Sequence, residues 1–281
     1  MTMKRDRETK IIGLIAGTGE LPKAVAVEAK DKGFRVVAVA LEHLADKRLA
    51  SLVDEIKWVN VGKLATIIES LKHFGAEKAV MAGKVPKALL YKGNITPDLR
   101  AMKLLFTLRD RSDDSILLAI TRELEKDGIT LLNTTDFCQD MLTPEGVLTK
   151  KGVTKDEWAD IRFGWKIANE MGRLDIGQTV VVKGKAVMAV EAIEGTDKAI
   201  QRGGAYANEG AVVVKISKPD QDMRFDVPVV GLDTLRAMIK VRARVLALEA
   251  KRSILLQKDR VLREADEAGI AVVGYSGERH C

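Results

Sequence analysis

The chain predicts an α/β fold in two domains, and three observations carry that expectation. At 281 residues with 46% hydrophobic content, it is long for one domain and well supplied for two cores. The first half alternates short runs that are apolar on both faces with amphipathic segments, the pattern of a parallel sheet covered by helices. The second half breaks that alternation with a hairpin, so it predicts a distinct α+β domain and not a second copy of the first. The expected division is a Rossmann-like parallel-sheet domain over 1–136 and an α+β domain over 137–281, with no internal repeat.

The elements follow in order. Strands are expected at Ile11–Ala16, Arg35–Leu41, Ile56–Val61 and Ala79–Ala82, with helices at Leu21–Lys32, Ala45–Leu52 and Leu64–Phe74 between them. Two more helices, Asp98–Arg109 and Ser112–Lys126, precede a strand at Ile129–Leu132, and Ser112 reads as a cap for the second helix. Asn133–Thr154 mixes polar residues with Pro144 and Gly146 and lacks periodicity, as a connection between domains does; the boundary is placed near Asp136. Beyond it come a helix at Asp156–Met171 and a hairpin at Thr179–Val190 turning at Lys183–Gly184. A strand at Ala211–Ile216, helices at Leu232–Ala250 and Ser253–Ala268, and a final strand at Ile270–Gly274 complete the chain.

Composition narrows the function. Lys and Arg exceed Asp and Glu by 46 to 40, giving +6 with the charges interspersed, which favours an anionic ligand or surface. Aromatics at 4% leave little material for base-stacking platforms, which counts against nucleic acid. Cys138 and Cys281 lie far apart with no C-x-x-C spacing, so a disulfide framework and a zinc site are not indicated and a reducing cytoplasm fits. His43, His73 and His280 are isolated, which argues against a histidine-bound metal or a serine–histidine relay. Lys4–Arg7 followed by Ile11–Ala16 imitates a signal peptide, but the apolar run is short and leads into Gly-Thr-Gly, so it reads as a first strand. No run approaches the roughly 18 apolar residues of a membrane span, so membrane contact is expected to be peripheral.

Several motifs carry chemistry. Gly17, Thr18 and Gly19 stand where the first strand gives way to the first helix, the place at which open α/β sheets bind nucleotides. Their amides suit phosphate or ribose oxygens, although Pro22 stands where the dinucleotide fingerprint wants glycine. The same glycines also read as a tight strand-to-helix turn. Glu42 follows the second strand, where an acid can bond a ribose but is common in any case, and Gly83–Lys84 end the fourth strand on the same sheet edge, where Lys84 reads equally as a phosphate contact and as an ordinary solvated lysine. Asp113 and Asp114 open a helix, which capping explains as well as a site does.

Carboxylates set in apolar sequence are harder to dismiss, since burial is costly unless they are paired or bound to a cation. Glu191, Glu194 and Asp197 form one such run; Asp197 reads as a first-turn residue with Arg202 as an ion-pair partner, which leaves the two glutamates unexplained. The other run is Lys218-Pro-Asp-Gln-Asp222-Met-Arg224-Phe-Asp226-Val-Pro228. If extended, it puts Asp222, Arg224 and Asp226 on one face, a set suited to a divalent ion, a phosphate and an activated water. Mutual salt bridges on a surface loop are the alternative.

Together, Gly13-Leu-Ile-Ala-Gly-Thr-Gly-Glu-Leu-Pro22, Ala82-Gly-Lys-Val85, Asp175-Ile-Gly-Gln-Thr-Val-Val-Val182, Ala189-Val-Glu-Ala-Ile-Glu-Gly-Thr-Asp197 and Lys218–Pro228 resemble the LpxI-type UDP-2,3-diacylglucosamine pyrophosphatases of bacterial lipid A biosynthesis. The motifs keep the family's order and cover nearly the whole chain, and the last two in combination are the most specific. The resemblance implies a Rossmann-like amino-terminal domain, a distinctive carboxyl-terminal domain and a substrate between them. It implies magnesium-dependent hydrolysis, with manganese as a substitute, giving UMP and 2,3-diacylglucosamine 1-phosphate (lipid X). It assigns the essential aspartate of the motif to Asp226. On that basis Asp226 and Asp222, with Glu191, Glu194 or Asp197, are expected to organise metal and water, while Arg224, Arg202 and Lys218 neutralise phosphoryl oxygens. Gly17–Gly19 would receive the uridine part and apolar walls the acyl chains; peripheral contact with the inner membrane and a homodimer are further expectations. Two rivals stand beside this reading: an NAD(P)-dependent oxidoreductase, which Pro22 and the downstream carboxylates disfavour, and a non-enzymatic nucleotide sensor.

Overall fold

The computed structural model describes residues 10–86, 96–108, 113–219, 222–224 and 227–277. The chain falls into two compact units. Met1–Cys138 with Asp222–Phe225 form the first, and Gln139–Gln221 with Asp226–Cys281 the second. The first unit therefore ends two residues beyond Asp136 and takes back a short segment from the distant acidic motif.

The first unit is built on β1 (Ile11–Ala16), β2 (Arg35–Leu41), β3 (Glu55–Val59), β4 (Lys78–Ala82) and β5 (Thr130–Leu131), all parallel, in the order β3-β2-β1-β4-β5. β1 and β2 are buried along nearly their whole length, which is why their sequences are apolar without alternation. Among the described residues, four helices accompany the sheet: α1 (Leu21–Asp31), α2 (Leu64–His73), α3 (Leu99–Thr107) and α4 (Asp113–Lys126). Ile15, Val37, Val39, Leu71, Leu124 and Ile129 form the centre of the core. Pro22 sits in the first turn of α1, where its missing N–H costs nothing. Asp98 caps two helices at once, accepting from Ala101 N of α3 and from Ala65 N of α2, each at 2.8 Å. The helix expected over Ala45–Leu52 is a 3-10 turn at Lys47–Ser51, because the Asp46 carboxylate takes the Arg48 amide and closes the segment tightly.

The second unit has a six-stranded mixed sheet, formed by β6 (Gly146–Val147), β7 (Thr179–Lys183), β8 (Ala186–Val190), β9 (Val212–Lys215), β11 (Val245–Glu249) and β13 (Ala271–Tyr275) in the order β6-β13-β11-β9-β7-β8. A short parallel pair, β10 (Val229–Val230) with β12 (Ile254–Leu255), stands apart from it. The helices are α5 (Lys155–Arg173), α6 (Thr196–Ala207), α7 (Leu232–Lys240) and α8 (Lys258–Glu267). Alternate strand residues feed two cores. Val180, Val182, Val212 and Val214 pack with Ile161 and Met171 of α5, while Val181 and Val213 pack with Ile200 of α6 and Leu235 of α7. A Cβ on Gly203 would lie 2.6 Å from Val181 Cβ, so α6 approaches the sheet through a glycine. The hairpin turns at Gly184–Lys185, one residue later than expected, and buried Asp160 accepts from both of those amides at 2.8 and 2.6 Å.

Two of the expected helices are overturned, Leu232–Ala250 and Ser253–Ala268. Leu232–Ala250 is not a single helix: α7 stops at Lys240, Arg242 turns with φ 51°, and Val245–Glu249 forms a strand between β9 and β13. The run Val-Leu-Ala-Leu-Glu has high helix propensity, but burial on both sides of a central strand decides the outcome. In the same way Ser253–Ala268 begins with β12 and becomes helical only after Gln257 at φ 51°. Among the described residues, no helix is long and apolar enough to cross a membrane.

Candidate functional site

In the first unit the candidate residues gather at the carboxyl edge of the parallel sheet, where strand order reverses between β1 and β4. The two glycine loops on that edge bind each other. Gly17 N donates to Ala82 O at 2.8 Å, Thr18 N to Lys84 O at 2.9 Å, and Lys84 N back to Thr18 O at 3.0 Å. A Cβ on Gly17 would lie 2.7 Å from Lys84 O, and one on Gly83 2.6 Å from Thr18 O. The amides of Gly17 and Thr18 expected to receive phosphate are therefore spent inside the protein, and these two glycines permit loop-to-loop contact. Gly19, at φ 103° with open space around its Cβ position, and the exposed Lys84 side chain remain at the surface of that edge. Glu42 is exposed on the turn after β2. Nearby, Lys23 is largely buried and bridges Glu20 at 2.8 Å and Asp46 at 2.6 Å, a charged cluster that Arg48 extends.

The acidic motif reaches the same unit. Thr134, after β5, is 1% exposed, and its Oγ1 lies 2.7 Å from Met81 O and 3.1 Å from Arg224 O, while its amide donates to Met223 O. Residues 222–224 form a turn and not the extended strand expected, because the Asp222 carboxylate accepts from the Arg224 amide at 3.0 Å. It also accepts from Arg224 Nε at 3.0 Å and Nη2 at 2.6 Å. The guanidinium hydrogen bonds hold the Asp222 pKa below its usual value, and the carboxylate holds that of Arg224 above its own. Glu125 of α4 lies 3.9 Å from Arg224 Nη1. Asp226, the residue on which the sequence reading leans most, lies outside the described residues, as do Asp110, Arg111 and Ser112; of Asp113 and Asp114 only their place at the start of α4 is described.

In the second unit a buried polar cluster stands at the edge shared by the end of β8, the end of β9 and the start of β7. Glu191 is 8% exposed and Lys215 only 2%. Lys215 Nζ donates to Thr196 Oγ1 at 2.8 Å, Thr196 donates onward to Glu191 Oε1 at 2.8 Å, and the lysine lies 3.8 Å from Glu191 Oε2. Thr179 Oγ1 is 3.4 Å from the same ammonium. Glu194 pairs with Arg202, which also donates to Val190 O, and this pairing depresses the Glu194 pKa. Asp197 accepts from Thr234 at 2.8 Å and so joins the first turns of α6 and α7. Arg202 thus serves Glu194 in place of the expected Asp197, and both glutamates have protein partners. Lys218 pairs with Asp175 at 2.5 Å.

Among the described residues, no three His, Cys, Asp or Glu side chains gather to hold a metal ion. Glu191, Glu194, Asp197 and Asp222 each accept from a protein donor already. Lys215, Thr196 and Thr134 were not singled out from sequence. A lysine inside the apolar run Ala211–Ile216 is the signal that marks Lys215, whereas nothing local marks Thr134.

Residues 11–141 match the model of the LpxI N-terminal domain, and residues 144–273 that of the LpxI C-terminal domain. The chain is 31% identical over 274 residues to the UDP-2,3-diacylglucosamine pyrophosphatase LpxI of Caulobacter vibrioides, covering 94% of this chain and 96% of the relative. Similarity to solved structures is weak. A crystal structure of AnUbiX (PadA1) with FMN and dimethylallyl pyrophosphate is 17% identical over 44% of this chain and 77% of that one, at a TM-score of 0.25. Phosphoribosylglycinamide synthetase from Anaerococcus prevotii is 13% identical over 69% and 35%, at 0.26. Two successive domain matches and a full-length relative agree with the motif order read from the sequence, and the chain belongs to the LpxI family.

Proposed function

We propose that this chain hydrolyses the diphosphate of UDP-2,3-diacylglucosamine, releasing UMP and 2,3-diacylglucosamine 1-phosphate for lipid A biosynthesis. The observation that carries this reading is the full-length match to a pyrophosphatase of that name, with both LpxI domains present in order. The five-stranded parallel order of the first unit supports a Rossmann-like use of its carboxyl edge, with Gly19 and Lys84 as the groups left to meet the nucleotide.

Arg224 is held in place at both ends. Its main chain rests on Thr134 and its guanidinium on Asp222, so its cationic plane is pre-organised to neutralise phosphoryl oxygens as charge develops. Arg202 and Lys218 contribute charge from the second unit while paired with Glu194 and Asp175. Asp226, the last acid of the motif, positions or deprotonates the water that attacks phosphorus as the P–O bond to the leaving group breaks. Magnesium dependence is part of the proposal, with Asp226 its principal carboxylate. The described carboxylates are engaged elsewhere and do not converge as a ligand set. The protein meets the membrane peripherally.

The test is UMP release from UDP-2,3-diacylglucosamine by purified protein, with magnesium or with chelator, beside Asp226→Ala. Metal-dependent release that Asp226→Ala abolishes supports the reaction and its central residue. Folded wild-type protein that releases no UMP under any divalent metal overturns the reading.

A further inference from the structure

Helix α3 is apolar on two opposite faces. Ala101, Leu104, Leu105 and Leu108 pack into the core of the first unit. Leu99, Met102 and Phe106, spaced three and four residues apart, form a stripe on the other side, where they are 74%, 38% and 86% exposed. Lys103 is exposed on the same face. A helix apolar all round is ordinarily buried, and an isolated exposed leucine needs no explanation, but three long apolar side chains aligned on one outward face do.

The surroundings are cationic. Lys103, Arg100, Lys72 and Lys126 stand at or beside α3, against Glu123 and Asp127, which Arg100, Lys72 and Lys126 already neutralise, and against Asp98, whose carboxylate is taken up by the amides of Ala65 and Ala101. An apolar stripe with a surplus of positive charge complements an anionic lipid surface, into whose headgroup and acyl boundary such a helix lays its side chains. A peripheral mode is the one open to the described residues, none of whose helices can span a bilayer. From these features we infer that α3 is the element by which the chain docks on an anionic membrane, through Leu99, Met102 and Phe106 with Lys103. The inference rests on the proposed function in one respect: a diacylated substrate resides in a membrane, so docking there delivers the enzyme to it.

The experiment is co-sedimentation of the full chain with vesicles of phosphatidylglycerol and phosphatidylethanolamine, beside vesicles of phosphatidylcholine. Variants are Leu99→Ser, Phe106→Ser and Lys103→Glu. Oligomeric state by light scattering and UMP release from detergent-dispersed substrate are measured in parallel. Wild type is expected to bind the anionic vesicles preferentially. Each serine variant is expected to weaken binding by about tenfold, the scale set by losing one buried apolar side chain. Lys103→Glu is expected to remove the anionic preference, and hydrolysis in detergent is expected to persist in all three. Unchanged vesicle binding in the serine variants overturns the inference. So does a wild-type dimer that they dissociate without any vesicle binding, which would make the face a contact between copies. Parallel loss of hydrolysis in detergent overturns it too, by placing the face in the catalytic machinery. Vesicle binding by a wild type that hydrolyses nothing in detergent overturns the proposed reaction and leaves the docking surface standing.

Discussion

Replacing Lys215 by methionine is the most informative perturbation of the second unit. The ammonium is buried at the end of β9, hydrogen-bonded to Thr196 and 3.8 Å from Glu191, which is itself buried. Lys215→Met keeps the aliphatic bulk and removes the charge, so the Glu191 carboxylate loses its cation in a site closed to water. Removing one partner of a buried ion pair costs about 3–5 kcal/mol, whereas apolar replacement of both is often neutral. Urea unfolding is followed by the fluorescence of Trp158 and Trp165, which pack against the core of this unit, in a Trp58→Phe background. With a slope near 2 kcal/mol/M, the single variant is expected to lower the midpoint by about 2 M. Lys215→Met with Glu191→Leu is expected to regain most of that loss. A single variant costing under about 1 kcal/mol, or a double variant as unstable as the two singles combined, would refute the assignment of Glu191 and Lys215 to one buried pair.

Three further outcomes are expected. Gly83→Ala forces a side chain at φ 89° and within 2.6 Å of Thr18 O, so thermal unfolding of the first unit should show a loss of at least about 1–3 kcal/mol; an unchanged Tm would disprove the loop-to-loop contact. Burial pushes the Cys138 thiol up to about 12, so in a Cys281→Ser background it should resist a thiol-specific disulfide reagent at pH 8 and react fully on unfolding. Asp222, its folded pKa depressed by Arg224, should contribute stability that is present above the unfolded carboxylate range and lost as pH falls through the folded value. Asp222→Asn should therefore flatten the acid limb of the stability profile as pH falls below the unfolded carboxylate range, and a variant with the wild-type acid limb contradicts the pairing.

What the sequence discloses depends on how local the deciding physics is. β1, β2 and β4 are legible because a strand buried in a parallel sheet must be apolar throughout, and short runs such as Ile11–Ala16 admit little else. Val245–Glu249 is misread because its residues favour helix locally, while the choice is made by β9 and β13 on either side. The site divides in the same way. That the acidic residues near Glu191 and Asp222 need partners follows from the cost of placing charge in apolar sequence, and the structure supplies partners for each described one. Which partner is chosen is a tertiary matter: Arg202 turns to Glu194, and Lys215 arrives from another strand through Thr196. The glycine loops show the same limit from the other side. Gly17 and Gly83 are where a nucleotide fold places glycines, yet the atoms nearest their Cβ positions belong to each other's loop. The amides of Gly17 and Thr18 are spent on Ala82 O and Lys84 O, so a nucleotide bound at this edge as proposed would be met by side chains and by Gly19. For the same reason the Thr134 anchor matters more to the proposed chemistry than its place in the sequence suggests. From ninety residues earlier in the chain than Arg224, it ties the main chain of a three-residue piece of the acidic motif to the end of β4, and so holds the backbone that carries the guanidinium against the sheet of the first unit.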